Sequence, residues 1–501
     1  MLTAEQAAVA ATNLVKSQHS DYARRIKAQQ DYLDGSHSSV YVPQKARNEY
    51  RWLVQRSQVN ILPLVVDTLA QALYVEGWRG ESVTDPPTPW QVWQANRMDA
   101  RQTAVHRAAL AHGEAFCVVL PGDTAPVMRP VGPLDLFALY DDPVNDEWPL
   151  LALERRPNGT WRLHEPEYSH PLVFDADAFT AGPPVRHGLG VTPVVRFVNR
   201  LDLSGRIVGE IEPLIKIQDQ INSTTFGLLM AQTYAAFRQR WATGMVTEDE
   251  DGNELPPPNV SVARILTSDS PDTKFGEFEA TDLGGYINSR EASLRHAAIV
   301  SQVPPHHLMG QMANLSAEAL AAAEAGQMRK IAERQALFGE SWEQALRLTA
   351  LLAGDSAAAQ DMSAQVLWRD PESRSLAQYA DALGKIASQL NVPPQVLWEK
   401  LPGVTQTDVE RWREEASELM FADAQAQATA FGVTGVTVTD APREIDATAI
   451  KSKADALGVL IRSGVDPESA ADQVGLMVDF TGAVPVSLRL PDTKASGLET
   501  K

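Results

Sequence analysis

Apolar residues at Ile61, Leu62, Val65, Val66, Leu69 and Leu73 recur with a period of three to four, which predicts a helix that Gly77 and Trp78 terminate. Trp90, Val92 and Trp93 lead into another helix ending near Gly113, so residues 1 to about 115 read as helical. The period then changes. Short β-branched and aromatic runs at Phe116–Leu120, Leu150–Arg155, Thr160–Leu163 and Val194–Val198 alternate with Pro, Gly and Asn-Gly turns. That texture predicts a small α+β or mainly β region, with a hairpin at Asn158-Gly159.

Helical spacing returns at Glu210 and continues through Ile211, Leu214, Ile215, Ile217, Ile221, Phe226, Leu229, Met230, Tyr234 and Phe237, giving way at Thr243-Gly244. The early glutamates suit the positive end of the helix dipole, and Pro213 is tolerated in a first turn. Residues 246 to about 284 form an acidic, Pro-rich and Gly-rich insertion with strand-like pieces at Val260–Leu266 and Phe275–Phe278. A second helix is expected from about Tyr286 to Ser301, then a loop from Pro304 to Asn314. The longest helix is predicted from about Ser316 to Ala353, roughly 55 Å, with Ser316 as N-cap and Ile331, Phe338, Trp342, Ala345, Thr349 and Leu352 on one face. Beyond it the pattern is of helical pieces broken by Pro and Gly, then a polar tail. Ala380–Gly384 (ADALG) recurs as Ala454–Gly458; a duplicated helical hairpin and chance in an Ala-rich chain are both open readings.

With 501 residues the chain has ample length for a core and a prior of roughly three domains. Lys+Arg 44 against Asp+Glu 64 leaves a formal charge of −20, which argues against a protein that grips nucleic acid tightly over its whole surface. One cysteine, Cys117 within an apolar run, reads as a buried structural thiol and excludes an internal disulfide or a multi-cysteine zinc site. No apolar run approaches the ~20 residues that span a bilayer, and Glu5 with no basic flank does not read as a secretory signal. The expected setting is intracellular, or that of a protein assembled inside a cell.

Motifs for catalysis fail residue by residue. Gly384-Lys385 lacks the upstream glycine and the hydroxyl residue of a phosphate loop. His164-Glu165 meets Pro166 and Tyr168 instead of a second histidine one helical turn on. The calcium-loop imitation starting at Thr247 ends on Pro258, and Asp251-Gly252 reads better as a hairpin turn. Gly188-Leu189-Gly190 opens no helix, and Asp141, Asp142, Asp146 and Glu147 sit in a Pro-bounded loop. Neither an enzyme nor a resident metal or cofactor is expected.

The order of elements resembles the portal protein of tailed bacteriophages, in particular the type from siphophages of actinobacteria. Gly209-Glu210-Ile211-Glu212-Pro213-Leu214 with Asp219 and Asn222 resembles the start of that family's first stem helix, and residues Arg238 to Gly244 its end. Lys274–Phe278 with Asp282-Leu283 resembles the exit from the clip; Val303–Leu308 with Asn314–Leu320 resembles the tunnel loop and the long helix after it. Trp368-Arg369-Asp370-Pro371 resembles the crown entry, and Trp93–Asn96 with Gly113–Phe116 also fit. The likeness reaches to about residue 420, and the order of the motifs carries more of it than any one of them.

The resemblance implies a mainly α protein with α+β parts, of the ring-forming portal fold. Residues 1–209 would be the wing, 210–245 the first stem helix, 246–284 the clip and 285–303 the second stem helix. Residues 304–315 would be the tunnel loop, 316–353 the long helix, 354–430 the crown and 431–501 its C-terminal extension. About twelve copies would close into a ring at one capsid vertex, carrying a charge on the order of −240. Implied partners are further copies of the chain, the major capsid protein, a scaffolding protein, the terminase large subunit, a head-completion or connector protein, and double-stranded DNA held weakly. The implied location is the virion, with assembly in the host cytoplasm.

For His306, His307, Gly310, Gln311 and Asn314 the resemblance implies a DNA-facing tunnel loop, against an ordinary connection between helices. Glu248, Asp249, Glu250, Asp251, Glu254, Asp269 and Asp272 read as a clip surface for docking partners, or as a solvated acidic face. Lys216, Arg290 and Arg295 either face the channel or pair with acids of a neighbouring subunit. Two other classes stand beside the portal: another structural virion protein without a channel, capsid-internal or head-completing, and an enzyme on an unfamiliar fold. Against the second counts the lack of any convergent acid, base, nucleophile or metal set.

Overall fold

The computed structural model describes residues 1–37, 48–84, 87–175, 177–236, 240–244, 272–277, 282–310, 317–371, 376–401, 404, 408–409 and 411–419. The chain divides into two compact units, residues 1–415 and 416–501. In the second, the described residues 416–419 are helical. The first holds everything that follows.

Its helices are α1 (Ala4–Leu14), α2 (Ser20–Leu33), α3 (Asn48–Ser57), α4 (Leu62–Ala70), α5 (Thr88–Ala95), α6 (Met98–His112), α7 (Ile215–Ala236), α8 (Gly284–Ser301), α9 (Pro305–Met309), α10 (Ala317–Ala353), α11 (Ser356–Gln360), α12 (Leu376–Leu390) and α13 (Pro394–Leu397). The strands are β1 (Val75–Arg79), β2 (Glu114–Leu120), β3 (Val127–Val131), β4 (Leu136–Leu139), β5 (Leu151–Arg155), β6 (Trp161–His164), β7 (Tyr168–Asp175), β8 (Ala178–Ala181), β9 (Val185–Arg186), β10 (Val194–Val198), β11 (Arg240–Thr243), β12 (Lys274–Glu277) and β13 (Gln365–Trp368).

The helix predicted through Gly77 instead ends at Ala70, and Gly77 and Trp78 belong to β1. The reason is tertiary: β1 pairs antiparallel with β13, with Gly77 opposite Leu367, almost three hundred residues later. Helical texture predicted for the chain after 353 is interrupted by the same pairing. The helix expected from Trp90 to Gly113 is two, α5 and α6, separated at Arg97, which adopts a left-handed conformation with φ 54°. Its end is where the sequence places it: Gly113 caps α6 with φ 102°, a conformation that suits glycine.

The β region runs as predicted. Strands β4 to β8 form a meander in sequence order, with β9 added on β7. The β5–β6 turn has Gly159 at φ 81° and Asn158 accepting from the Thr160 backbone, the chemistry expected of Asn-Gly. Helix α1 lays Ala7, Ala11 and Leu14 against Leu153, Leu163, Leu172 and Phe179 of this sheet. A second sheet has the order β10-β2-β3, with Cys117 at its centre opposite Val195 and Pro130.

Helix α10, at 37 residues the longest described, runs through the main core. Its Trp342 meets Phe197 at 4.4 Å and Trp93 at 4.9 Å between ring centroids, and its Phe338 stacks on His106 at 5.4 Å. The Trp342 indole donates to His106 Nε2 at 2.9 Å, so Nδ1 carries the proton and donates to the Leu73 carbonyl at 3.1 Å. Complete burial pushes the His106 pKa down to about 3, and the neutral ring serves as one more aromatic of the core.

Candidate functional site

Five parts of the chain converge on one buried carboxylate. Glu210 lies at the entry to the α7 segment, and helix α7 begins only after a short 3₁₀ turn at Glu212–Leu214. Its backbone N–H donates to the Leu110 carbonyl at 2.7 Å, so the chain crosses the end of α6 in close contact. Gly209 permits this crossing: a Cβ there would lie 2.2 Å from the Ala111 carbonyl oxygen. The expectation that Glu210 serves the helix dipole is thereby corrected. Its side chain turns inward and meets Lys330 Nζ at 2.5 Å and Arg334 Nη2 at 3.3 Å, both on α10.

Each cation is held from a second side. Lys330 donates to the Ser301 carbonyl at 2.8 Å, the last residue of α8. Arg334 Nε donates to Asn199 Oδ1 at 2.6 Å, and Nη1 lies 3.1 Å from Glu333. Asn199, just after β10, donates its amide to Glu210 Oε1 at 3.1 Å and its backbone N–H to Gly113 at 2.8 Å. Lys330 and Arg334 are only 7% and 4% exposed. Burial lowers the Lys330 pKa, and the Glu210 charge opposes that shift. The network locks the α6 end, β10, the α7 entry, the α8 end and α10 into one geometry.

From this lock α7 and α8 run side by side. Gly227 in α7 faces Tyr286 at the start of α8, where a Cβ would come within 2.9 Å of the ring. Past α7, the predicted continuation of the helix to Thr243 is replaced by β11, which pairs with β12. Trp241 lies opposite Gly276 and covers it, leaving no room for a Cβ. Gly244 ends β11 with φ 75°, and a Cβ there would meet the Asp272 carbonyl at 2.6 Å. Asp272 is exposed beside this turn. Glu248, Asp249, Glu250, Asp251, Glu254, Asp269 and Phe237 lie outside the described residues, as do the expected strand Val260–Leu266 and the Asp251-Gly252 turn.

Lys216 is exposed at the second position of α7. Arg295 is exposed on α8 and pairs with Glu291 one turn away at 3.5 Å, a surface pair worth only a few tenths of a kcal/mol. Arg290 is half-buried, with its Nε enclosed and without a hydrogen-bond partner.

The expected loop after α8 contains a short helix. Gln302 ends α8 in a left-handed conformation, Pro304 sets an extended entry, and α9 follows until Gly310, at φ 64°. His306 and His307 share this turn, ring centroids 4.4 Å apart. His306 Nε2 lies 3.9 Å from Glu324 of α10. Burial, then the neighbouring His306, lowers the His307 pKa, with Glu324 acting the other way. Gln311, Asn314 and the expected N-cap Ser316 lie outside the described residues.

Elsewhere among the described residues, two buried histidines pair with carboxylates. His164 joins Glu154 at 3.0 Å and Ser169 at 2.7 Å, whereas the adjacent Glu165 accepts from the Leu2 backbone at 3.0 Å and joins His170 at 3.0 Å. The two neighbours thus belong to separate networks. Burial pushes the Cys117 thiol up to about 12, which makes it a poor nucleophile.

The Glu210 network went unread in the sequence, although a signal exists. Lys330 and Arg334 fall in phase with Ile331 and Phe338 on the apolar face of α10, and buried cations require an acid. No local pattern names which one.

Comparisons with known proteins find the chain similar to phage portal proteins. A family model described as phage portal protein, SPP1 Gp6-like, matches residues 13–420. The portal protein of Mycobacterium phage D29 is 26% identical over 384 residues, covering 71% of this chain and 79% of that protein. The portal protein of Mycobacterium phage L5 is 27% identical over 348 residues, covering 64% and 71%. Among solved structures, a chain from the neck of a native gene transfer agent particle computed with C12 symmetry aligns with 12% identity and a TM-score of 0.43, over 70% of this chain and 91% of that one. A chain from the native gene transfer agent virion aligns with 11% identity and a TM-score of 0.41, over 72% and 94%. Because the family model spans about four-fifths of the sequence, from before the end of α1 to beyond α13, the chain belongs to the SPP1 Gp6-like family of phage portal proteins.

Proposed function

We propose that about twelve copies of this chain close into a ring at one vertex of the capsid and form the channel through which DNA enters and leaves. A closed ring of identical subunits requires a heterologous interface, one face of each chain meeting a different face of the next. The observation that carries the reading is the family match across residues 13–420, which takes in α7, α8, α9 and α10 together.

Within that ring, α7 and α8 act as the paired stem helices, and the β11–β12 ribbon with its acidic insertion acts as the clip that docks the terminase large subunit and later a head-completion or connector protein. Helix α9 and the residues after it form the tunnel loop, and residues 1–209 form the wing against the major capsid protein and scaffolding protein. In this scheme residues 354–430 serve as the crown, and residues 431–501 as its C-terminal extension. Lys216, Arg290 and Arg295 on α7 and α8 face the channel or pair with acids of a neighbouring subunit. DNA is held weakly: histidines and amides in the tunnel loop contact phosphate without the salt-sensitive grip of clustered cations. The chain serves as conduit and the terminase hydrolyses nucleotide.

Negative-stain images of the purified protein test the reading. Rings with a central hole are expected. A stable monomer by sedimentation at high concentration, without rings, overturns it.

A further inference from the structure

We propose that His306, His307 and Glu324 form a binding site for a divalent transition-metal ion of the zinc class. The three side chains come from two elements, α9 and the second turn of α10, and sixteen residues separate His307 from Glu324. One ligand atom from each, an imidazole nitrogen from each histidine and a carboxylate oxygen, lie within 4.8 Å of one another. Among the described residues this is the one group of three or more such side chains that converges so closely.

The donor chemistry selects the ion. Two imidazoles with one carboxylate suit zinc and its neighbours, whereas calcium and magnesium require oxygen ligands. With bonds of about 2.1 Å, tetrahedral coordination sets ligand atoms about 3.4 Å apart. The observed pair at 3.9 Å between His306 Nε2 and Glu324 Oε1 is close to that spacing. The remaining contraction falls within rotation of side chains that are half-buried or exposed. Gly310 ends α9 in a left-handed conformation, and His307 is exposed.

The placement also has a structural consequence. A bound ion would tie α9 to α10. It leaves a fourth coordination position for water or another ligand. This inference stands on side-chain geometry alone and does not depend on the channel reading.

Binding of Co²⁺ and Zn²⁺ to the purified 501-residue chain is the test. Wild type should take up one Co²⁺ per chain with visible d–d absorption, displaced by Zn²⁺. Glu324→Gln should weaken binding at least tenfold, and His306→Ala with His307→Ala should abolish it. His296→Ala, which removes an exposed histidine of α8, should leave it unchanged. Footprinting of wild type with an imidazole-acylating reagent keeps the test independent of how the variants fold. Zn²⁺ should protect His306 and His307 while His296 stays reactive. Absence of metal uptake by wild type, uptake by the double variant equal to wild type, or equal reactivity of all three histidines with and without Zn²⁺ overturns the proposal.

Discussion

Replacing Glu210 with Gln removes the one negative charge that Lys330 and Arg334 share inside the protein. At an effective dielectric of 20, a unit charge pair at the observed 2.5 Å is worth about 6.6 kcal/mol, and one at 3.3 Å about 5 kcal/mol, before desolvation. Desolvation of several kcal/mol per ion offsets most of this in the native protein. After the substitution that penalty remains without its compensation. Lys330 has an escape, since it can fold as the neutral amine. Deprotonating an ordinary lysine at pH 7 costs at most about 4.8 kcal/mol, and burial already lowers its pKa. Arg334 has no such escape, but it keeps Asn199 and Glu333. The loss should therefore settle at about 3–5 kcal/mol, as for other buried pairs broken from one side.

Denaturant unfolding followed by tryptophan fluorescence reads this directly, because Trp342 reports on α10, the helix that carries both cations. Lys330→Met alone should cost less, since Glu210 retains Arg334 and Asn199. The double variant Glu210→Gln, Lys330→Met should recover at least 1 kcal/mol relative to the sum of the single changes. A loss under 1 kcal/mol for Glu210→Gln, or strict additivity in the double variant, would refute the reasoning.

Three further outcomes are expected. Gly209→Ala should destabilise by about 3 kcal/mol or more by thermal unfolding, because its Cβ meets a backbone carbonyl at 2.2 Å, while Gly132→Ala, with open space around it, should stay within about 0.5 kcal/mol. Stability should fall from pH 7.5 to pH 5: His106 and His112 have folded pKa values lowered to about 3 and about 4 by burial, so the unfolded chain takes up protons first. Their contribution is complete above 6.5 and is lost as pH drops, about 2 kcal/mol each at pH 5, and equal denaturation midpoints at the two pH values would exclude it. His306→Arg with His307→Arg should leave rings intact but slow DNA filling at low salt, each new phosphate contact adding a salt slope of about −0.9; filling that is unchanged at low and high salt would count against a DNA-facing role.

Much of the local structure was legible. Cys117 sits at the centre of a strand because an uninterrupted apolar run must be buried on both faces, and it is. Asn158-Gly159 turns a hairpin and Gly113 ends a helix because each conformation suits few other residues. Helix α10 runs within a residue of the predicted bounds, since its apolar stripe keeps phase over many turns. The candidate site was less legible. His306 and His307 stood out, but Glu324 did not, being one acid among the chain's many until α9 folded back against α10.

Sequence by itself thus determined that Cys117 lies in a buried strand, that Gly113 ends a helix and that a long helix reaches Ala353 with one apolar face, and its charge of −20 argues against tight binding of nucleic acid over the whole surface. Only the tertiary structure decided that Gln365–Trp368 is a strand, that Arg240–Thr243 leaves the helix to pair with Lys274–Glu277, and that Glu210 neutralises Lys330 and Arg334. The physical reason is common to all three. Periodicity encodes which side of an element avoids water, a local quantity, whereas a strand partner or a counter-ion is chosen by chain segments far apart in sequence that compete for the same buried place.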